Sequence, residues 1–247
     1  MELVEYDFHD LFTSKILDQN EDITEGFEFG SFNSIKNNLW LVTRDAPTPS
    51  EFEILETVPG MQGSYDFSDL GTGERFFQNR EVSYQCLFIS QEYMDRKTIE
   101  HEFKRKLMPL GIQNLYDSHM PVHHWQGKCK SVSVDDDAKY GKLTVTVTFS
   151  CYPFAISNYA EGDDLWDDVY FPDWTFSEQK YSVNGFKIIN VLNSGSKSVQ
   201  ADLKISGTFR IEGDVVAGKA TLKRGLNSFQ IIGNGTIEFI FYREEMF

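Results

Sequence analysis

Residues 143–151 alternate strictly between apolar and small polar side chains, and this alternation constrains the fold more than any other feature. The apolar members are Leu143, Val145, Val147, Phe149 and Cys151, and threonine or serine occupies every position between them. A repeat of two residues is typical of a β-strand that buries one face. Alternating runs at 80–89 and 199–211 indicate the same structure, so the sequence predicts a mainly β protein.

A β-hairpin is predicted over 125–152, with strands at 125–134 and 142–152 and a polar loop at 135–141. The loop begins with three consecutive aspartates. Calcium-binding loops of the EF-hand type alternate their carboxylates instead of placing them side by side. A solvated hairpin loop therefore explains the aspartates better than a calcium site does.

One helix is predicted, over 91–107. Ser90 can cap its N-terminus, and an apolar stripe repeats every four residues, at Ile99, Phe103 and Leu107. Pro109 and Gly111 follow the stripe and end the helix.

The stretch 39–89 contains strands and turns with almost no group that could do chemistry. Within it, apolar residues at 52, 54 and 58 alternate with polar ones at 51, 53 and 57, which predicts a half-buried strand. Pro59 and Gly60 then favour a turn. We interpret the stretch as scaffold.

The composition changes after residue 154, where an acidic and aromatic segment over 158–180 is interpreted as a linker into a second domain. The domains are therefore predicted at 1–153 and 154–247. Alternation continues in the second domain, and Gly233, Asn234 and Gly235 stand between two apolar runs. Asn-Gly in that position predicts a hairpin turn. Frequent glycine turns between strands are typical of a β-sandwich or jelly roll.

The chain of 247 residues carries 38 acidic and 23 basic side chains, for a formal charge of −15. Such a charge repels nucleic acid and anionic membranes, so specific nucleic-acid binding is not expected. No run approaches the ~20 apolar residues of a membrane helix. The acidic N-terminus does not resemble a signal peptide, so we expect synthesis in a cytosol.

Three widely spaced cysteines, Cys86, Cys129 and Cys151, lie in predicted strands. An odd number of cysteines in such segments favours buried free thiols over a disulfide framework.

Residues 213–219 match most of a phosphate-binding loop, but Ala220 replaces the hydroxyl residue that binds magnesium. No helical pattern follows, so a β-turn is predicted. Asn234 begins a formal glycosylation sequon, but without a secretory signal the sequon carries no weight, and the predicted hairpin turn explains it.

Three histidines, at 119, 123 and 124, lie close together, and Cys129 follows them. Zinc ligands need a defined spacing on a defined element, and Pro121 interrupts this group. Polar loop and strand-entry histidines are the preferred interpretation, with a metal site as the alternative. No pair of carboxylates can be singled out as acid and base, so no catalytic, cofactor-binding or metal site is predicted.

Aromatic residues at Trp166, Tyr170, Phe171 and Trp174 have two interpretations. They could form a platform for stacking sugars, or they could be buried in a core or a subunit interface. The second interpretation is preferred.

Taken in order, several segments resemble one family, the distal tail proteins (Dit) of long-tailed, non-contractile bacteriophages of Gram-positive hosts. In the N-terminal half they are 39–42, Pro47-Thr-Pro49, Val58–Gly63, Gly71-Thr-Gly73, Arg80-Glu-Val and the hairpin end at 148–154. In the C-terminal half they are Asn184-Gly185, 225–229, 233–235 and 237–242. The resemblance covers nearly the whole chain.

The resemblance implies an N-terminal domain made of a β-sandwich, one helix and an extended hairpin, followed by a galectin-like β-sandwich. It also implies a homo-hexameric ring at the tail tip or baseplate of the virion. The ring would join the tail-tube protein to the tail-associated lysin or tip protein and hold baseplate or receptor-binding proteins for host attachment. No enzyme activity and no cofactor are expected. Long hairpins such as 125–152 could complete a neighbour's sheet, and part of the acidic charge could line a lumen that DNA traverses.

A carbohydrate-binding host-adhesion module is the alternative function. Sugar-binding galectins carry a His-x-Asn-x-Arg strand and a later Trp-x-x-Glu, and neither occurs in 155–247. A galectin-like fold would therefore not by itself imply saccharide binding.

Overall fold

The structure is a computed structural model that describes residues 23–69, 71–162 and 178–247. The chain divides into two compact units, Met1–Pro153 and Phe154–Phe247. Strands predominate in both, as the sequence predicts. No helix of the described residues has both the length and the apolar character to cross a membrane.

The first unit contains nine strands, one α-helix and a 3-10 turn at Ile35–Asn37 within its described residues. The elements are β1 (Phe27–Phe29), β2 (Phe32–Asn33), β3 (Trp40–Asp45), β4 (Leu55–Glu56), β5 (Tyr65–Asp66), β6 (Arg80–Ile89), α1 (Tyr93–Leu107), β7 (Gln113–Asp117), β8 (His123–Asp137) and β9 (Lys142–Cys151). Seven strands form one antiparallel sheet in the order β2-β1-β7-β8-β9-β6-β3. Strands β4 and β5 form a separate pair.

The seven-stranded sheet curls over itself to enclose a core. Phe27 on β1 stacks on Tyr84 of β6 with ring centroids 4.6 Å apart, although three strands separate β1 from β6 in the sheet. Phe29 of β1 likewise contacts Phe149 of β9 at 4.9 Å. These aromatic rings bridge two layers of the same sheet, which is the packing of a β-sandwich.

Helix α1 packs on this sheet through the predicted stripe, with Phe103 and Leu107 fully buried. Phe103 contacts Phe32 of β2 at 4.7 Å. The helix begins at Tyr93, two residues later than predicted, and Glu92 occupies the N-cap position without a side-chain bond. The predicted cap residue Ser90 instead accepts a hydrogen bond from the Glu92 N–H and donates one to Asp95.

The predicted hairpin is present, but its first strand is longer and its loop shorter than expected. The aspartates at 135–137 pair with residues 144–142 of β9 and continue the strand. Asp136 also forms an ion pair with Arg96 of α1, with Nε and Oδ1 2.7 Å apart. Asp136 is therefore held both by the pairing of β8 with β9 and by an ion pair to the helix. An aspartate in a solvated loop would have neither contact. Strand β9 is paired on both sides along its whole length and has no free edge for a neighbour.

The half-buried strand predicted around 51–58 is wrong. Only Leu55–Glu56 is a strand there, and the alternating Phe52, Ile54 and Val58 are 43–53% exposed. Apolar and polar residues do alternate in the sequence here, but the apolar side chains do not pack against a hydrophobic core of the same chain.

The second unit contains seven strands among its described residues. They are β10 (Ala155–Ser157), β11 (Lys180–Asn193), β12 (Val199–Glu212), β13 (Val215–Val216), β14 (Lys219–Leu222), β15 (Gly225–Ile240) and β16 (Glu244–Glu245). Five of them form an antiparallel sheet in the order β11-β15-β12-β14-β13, and β10 pairs with β16.

The hairpin predicted at Gly233–Gly235 is also wrong, because β15 runs through these residues without interruption and stays paired with both neighbours. A Cβ atom on Gly235 would lie 2.0 Å from the Ser206 carbonyl oxygen, and one on Gly233 would lie 2.1 Å from the Thr208 oxygen. Only glycine permits this approach together with a positive φ. The glycines therefore mark a bend within a strand, where sequence reasoning expected a reversal between two strands.

The bend folds one sheet into two layers. On β11, the Tyr181 hydroxyl donates a hydrogen bond to the carbonyl oxygen of Asn190, 3.0 Å away and nine residues further along the same strand. Nine residues of straight strand would span about 30 Å. The bend thus encloses the core of the unit between two halves of the same strands.

Candidate assembly surfaces

Many apolar side chains are exposed in the segment 46–79 between β3 and β6, which we call the arm. Seven of its large apolar side chains are between 41% and 55% exposed: Phe52, Ile54, Leu55, Val58, Tyr65, Phe67 and Phe76. Several large exposed apolar side chains within one segment are typical of a surface that another molecule covers.

The arm folds back on itself as a ribbon held by backbone hydrogen bonds. The Phe52 N–H donates to the Phe76 oxygen at 2.9 Å, and the Gln78 N–H donates to the Ser50 oxygen at 2.8 Å. Nearer the tip, Leu55 and Glu56 pair with Asp66 and Tyr65. An isolated ribbon is marginal in water, so a partner would stabilise the arm as well as cover it.

Arg80 fixes the base of the arm. It is 2% exposed, and its Nη2 donates hydrogen bonds of 2.7 Å to the carbonyl oxygens of both Ala46 and Pro47. Its Nη1 reaches the Pro153 oxygen at 3.3 Å, and the guanidinium lies 4.2 Å from the centroid of the Trp125 ring. One buried cation thus joins the start of the arm, its end at residue 80 and the body of the sheet.

The arm is strongly acidic. It contains six carboxylates, at 51, 53, 56, 66, 69 and 74, and one cation, Arg75. Arg75 forms an ion pair with Glu51. The other carboxylates alternate along the chain with the exposed apolar residues and give the arm a net negative charge.

The C-terminal end of α1 has the opposite charge. Lys104, Arg105 and Lys106 are consecutive, and the side chains of the first two are 49% and 76% exposed. Met108 and Ile112, which follow the helix, are 44% and 67% exposed. We call Lys104, Arg105, Met108 and Ile112 the basic patch, because it combines apolar surface with positive charge.

A buried polar cluster lies inside the first unit around Asp117, whose side chain has no exposed surface. It accepts hydrogen bonds from Arg44 Nε, from the Tyr84 hydroxyl at 2.8 Å and from the His119 N–H at 2.9 Å. Burial would raise the pKa of Asp117, but the hydrogen bonds from His119 and the charge of Arg44 outweigh it, so the pKa is lowered. Asp117 is therefore held as a carboxylate that links three segments.

His119 and His124, which were singled out from the sequence, contact different neighbours in the structure. The ring of His119 lies beside Asp117, with Nδ1 and Oδ1 3.1 Å apart, whereas the ring of His124 packs against Tyr116. The Cys129 sulfur faces the Met108 sulfur at 3.6 Å. Within 23–69, 71–162 and 178–247, no group of three or more His, Cys, Asp or Glu side chains is placed to hold a metal ion.

The remaining motifs have structural explanations. Residues 213–219 are a turn and a short β-hairpin whose tight turn uses Ala217 and Gly218 at positive φ, as predicted in place of a phosphate loop. Asn234 lies in the middle of β15, paired with Asn184 and Thr208. The aromatic residues at 166–174 lie outside the described residues.

The second unit has an exposed apolar patch of its own on the outer face of its sheet. Phe186 and Ile232 are cross-strand partners and are 59% and 45% exposed, and Ile188 beside them is 54% exposed. The core side chains point to the opposite face. Each unit therefore presents apolar surface that its own core does not use.

Solved structures provide a comparison for this architecture. The Dit protein of phage SPP1, described as a paradigm of the hub adsorption apparatus in phages that infect Gram-positive bacteria, superposes with a TM-score of 0.59. The match covers 88% of this chain and 98% of that chain at 11% identity. The chain shares the Dit fold. At this identity the likeness establishes the fold alone.

A chain of the phage p2 baseplate in its activated conformation with strontium is also similar, with a TM-score of 0.44 and 6% identity over 90% of this chain and 99% of that chain. No protein-family model and no curated protein matches the sequence.

Sequence reasoning missed that the arm is exposed in the chain, because its alternation predicted a half-buried strand. The buried cation Arg80 gave no sequence signal either, since its partners are backbone carbonyls at distant positions. The basic patch was readable in part: 104–106 is the only run of three consecutive cations in an acidic chain.

Proposed function

We propose that this protein is a structural hub of a phage tail tip, forming a homo-hexameric ring. The observation that carries the proposal is the shared fold with a Dit protein over 98% of that protein's length. In this role the ring joins the tail tube to the tail-associated lysin or tip protein. It also anchors baseplate or receptor-binding proteins for attachment to the host, and residues 154–247 are its galectin-like outer domain.

Two features of the chain support an assembly role. The arm exposes seven large apolar side chains on a ribbon that is stabilised when a partner covers it. The arm and the basic patch are different surfaces, and contacts between unlike surfaces of identical chains generate rings when the rotation between copies closes. We further propose that acidic side chains face the bore of the ring and keep passing DNA from adhering.

Mass measurement and negative-stain imaging of the purified protein test the proposal. We expect a particle of six chains with six-fold symmetry and a central hole. A stable monomer across the micromolar range would overturn the hub assignment. A solved ring with a neutral or basic bore would contradict the acidic lumen alone.

Calorimetric titration with host cell-wall saccharide tests the alternative, a carbohydrate-binding adhesion module. We expect no heat of binding above that of dilution. Saturable binding by a monomeric protein would favour the adhesion module over the hub.

A further inference from the structure

We propose that the arm of one copy docks on the basic patch of the next copy, in a head-to-tail contact that repeats around the ring. The inference rests on the proposed function, because a ring is what this contact would build. It goes further by naming the two surfaces that meet.

The charge of the molecule restricts where an acidic arm can bind. The chain carries −15 overall, so most of the surface of a second copy repels the arm. The run of cations at 104–106 is the densest positive feature in the sequence. On a second copy, this run therefore offers the arm a local surface of opposite sign.

The positive charge at this end of α1 is in excess of its own carboxylates. Glu100 holds both Lys97 and Lys104, each at 2.6 Å. Glu102 likewise holds both Arg105, at 3.0 Å, and Lys106. Because each carboxylate is shared by two cations, two positive charges have no matching negative charge within these pairs. Carboxylates of the arm of a second copy can supply the missing negative charge.

The apolar parts of the two surfaces also match in character. Met108 and Ile112 follow Lys104 and Arg105 in the chain and expose 44% and 67% of their surface. Methionine is flexible and adapts to aromatic side chains such as Phe52 and Phe67 of the arm. The contact thus combines apolar side chains with charges of opposite sign, as protein interfaces usually do.

A charge-reversal experiment tests the contact on the full chain. The patch variant carries Lys104→Glu and Arg105→Glu, and the arm variant carries Glu53→Lys and Glu56→Lys. Each reversal places like charges across the proposed contact. We expect each variant alone to need at least a tenfold higher concentration than the wild type to assemble, as measured by native mass spectrometry and light scattering.

An equimolar mixture of the two variants is the decisive sample. The reversed arm of one chain then faces the reversed patch of the other, and the unreversed arm faces the unreversed patch. We expect rings in which the two variants alternate, three of each in a hexamer. Circular dichroism and melting temperatures of the separate variants establish that both are folded.

The matched control carries Lys204→Glu and Lys219→Glu, which reverse two exposed charges in the second unit. It should assemble like the wild type. If the wild type forms rings and the patch variant assembles equally well, or if folded variants do not assemble when mixed, the contact is wrong and the hub function stands. A wild type that never assembles overturns both.

Discussion

The rings of Phe229 and Phe239 touch, with centroids 5.2 Å apart, although ten residues of a single strand separate them. A straight strand would place them about 33 Å apart. The contact exists because β15 bends sharply at Gly233 and Gly235 while keeping its hydrogen bonds to both neighbours. A single bent sheet thereby supplies both layers of the second unit.

Replacing Gly235 by alanine should therefore destabilise the second unit by about 3–5 kcal/mol. The new Cβ would lie 2.0 Å from the Ser206 carbonyl oxygen, and the φ of +137° is unfavourable for alanine. Gly185→Ala is the matched control, since this glycine has a φ of +86° but no atom within 4 Å of its Cβ position. Its cost should be only about 1–2 kcal/mol. Calorimetric unfolding of the two variants measures the difference, and equal costs would contradict the close-approach explanation.

Arg80→Met should destabilise the first unit by about 2–4 kcal/mol and free the base of the arm. The variant leaves the carbonyl oxygens of Ala46, Pro47 and Pro153 without their donor. Limited proteolysis should then cut within 46–79 faster than in the wild type. Arg75→Met removes an exposed arginine from the arm and should change the free energy of unfolding by no more than about 0.5 kcal/mol. If the Arg80 variant were cut no faster than the wild type, the hydrogen bonds of Arg80 would not be what holds the arm.

The lowered pKa of Asp117 predicts a loss of stability in acid. Its folded-state pKa lies below the unfolded value of about 3.9, so the unfolded chain binds the proton more readily. The stabilisation is therefore complete above about pH 4–5 and is lost as the pH falls through the folded-state pKa. Asp117→Asn should be less stable than the wild type at pH 7 by about 2–4 kcal/mol, because Arg44 loses its ion pair.

Urea unfolding between pH 7 and pH 3 measures this effect. The free energies of unfolding of the wild type and Asp117→Asn should converge as the pH falls, because only the wild type has a carboxylate to protonate at this position. If the two free energies of unfolding changed in parallel with pH, protonation of Asp117 would not contribute to the loss of stability in acid.

The three cysteines should be unreactive in the native protein. Burial raises the pKa of Cys86 and of Cys151 to about 12 and that of Cys129 to about 11, so few thiolates form at pH 8. Their burial as free thiols confirms the interpretation from the sequence. A chromogenic disulfide reagent should label three thiols per chain in urea and none rapidly in buffer. Ser131→Cys, at an exposed strand position, is the positive control. Rapid labelling of a native cysteine would contradict the burial.

Some elements were predictable because the signal is local. The helix stripe at Phe103 and Leu107 repeats with the helical period, and the run at 143–151 repeats with the strand period. Arg96 was not predictable, because its burial depends on Asp136 forty residues away. A charged residue on a helix is normally solvated, and only a distant partner changes that.

The two wrong predictions share a cause. Phe52, Ile54 and Val58 alternate with polar residues, as the buried residues of a strand do. Alternation shows which side chains share one side of a strand, but it does not show whether other residues pack against that side. Gly233, Asn234 and Gly235 allow the chain to change direction. The same residues are therefore compatible with a hairpin turn and with a bent strand. The positions of the neighbouring strands decide between them.

Local period and composition were enough to predict the β character, the one helix, the acidic charge and the buried thiols. The three-dimensional arrangement of the strands was needed to establish that the glycines bend a sheet and that the arm lies exposed. It also decided that Arg80 fixes the base of the arm. These outcomes depend on which distant atoms approach each other, and that information is not carried by any single segment.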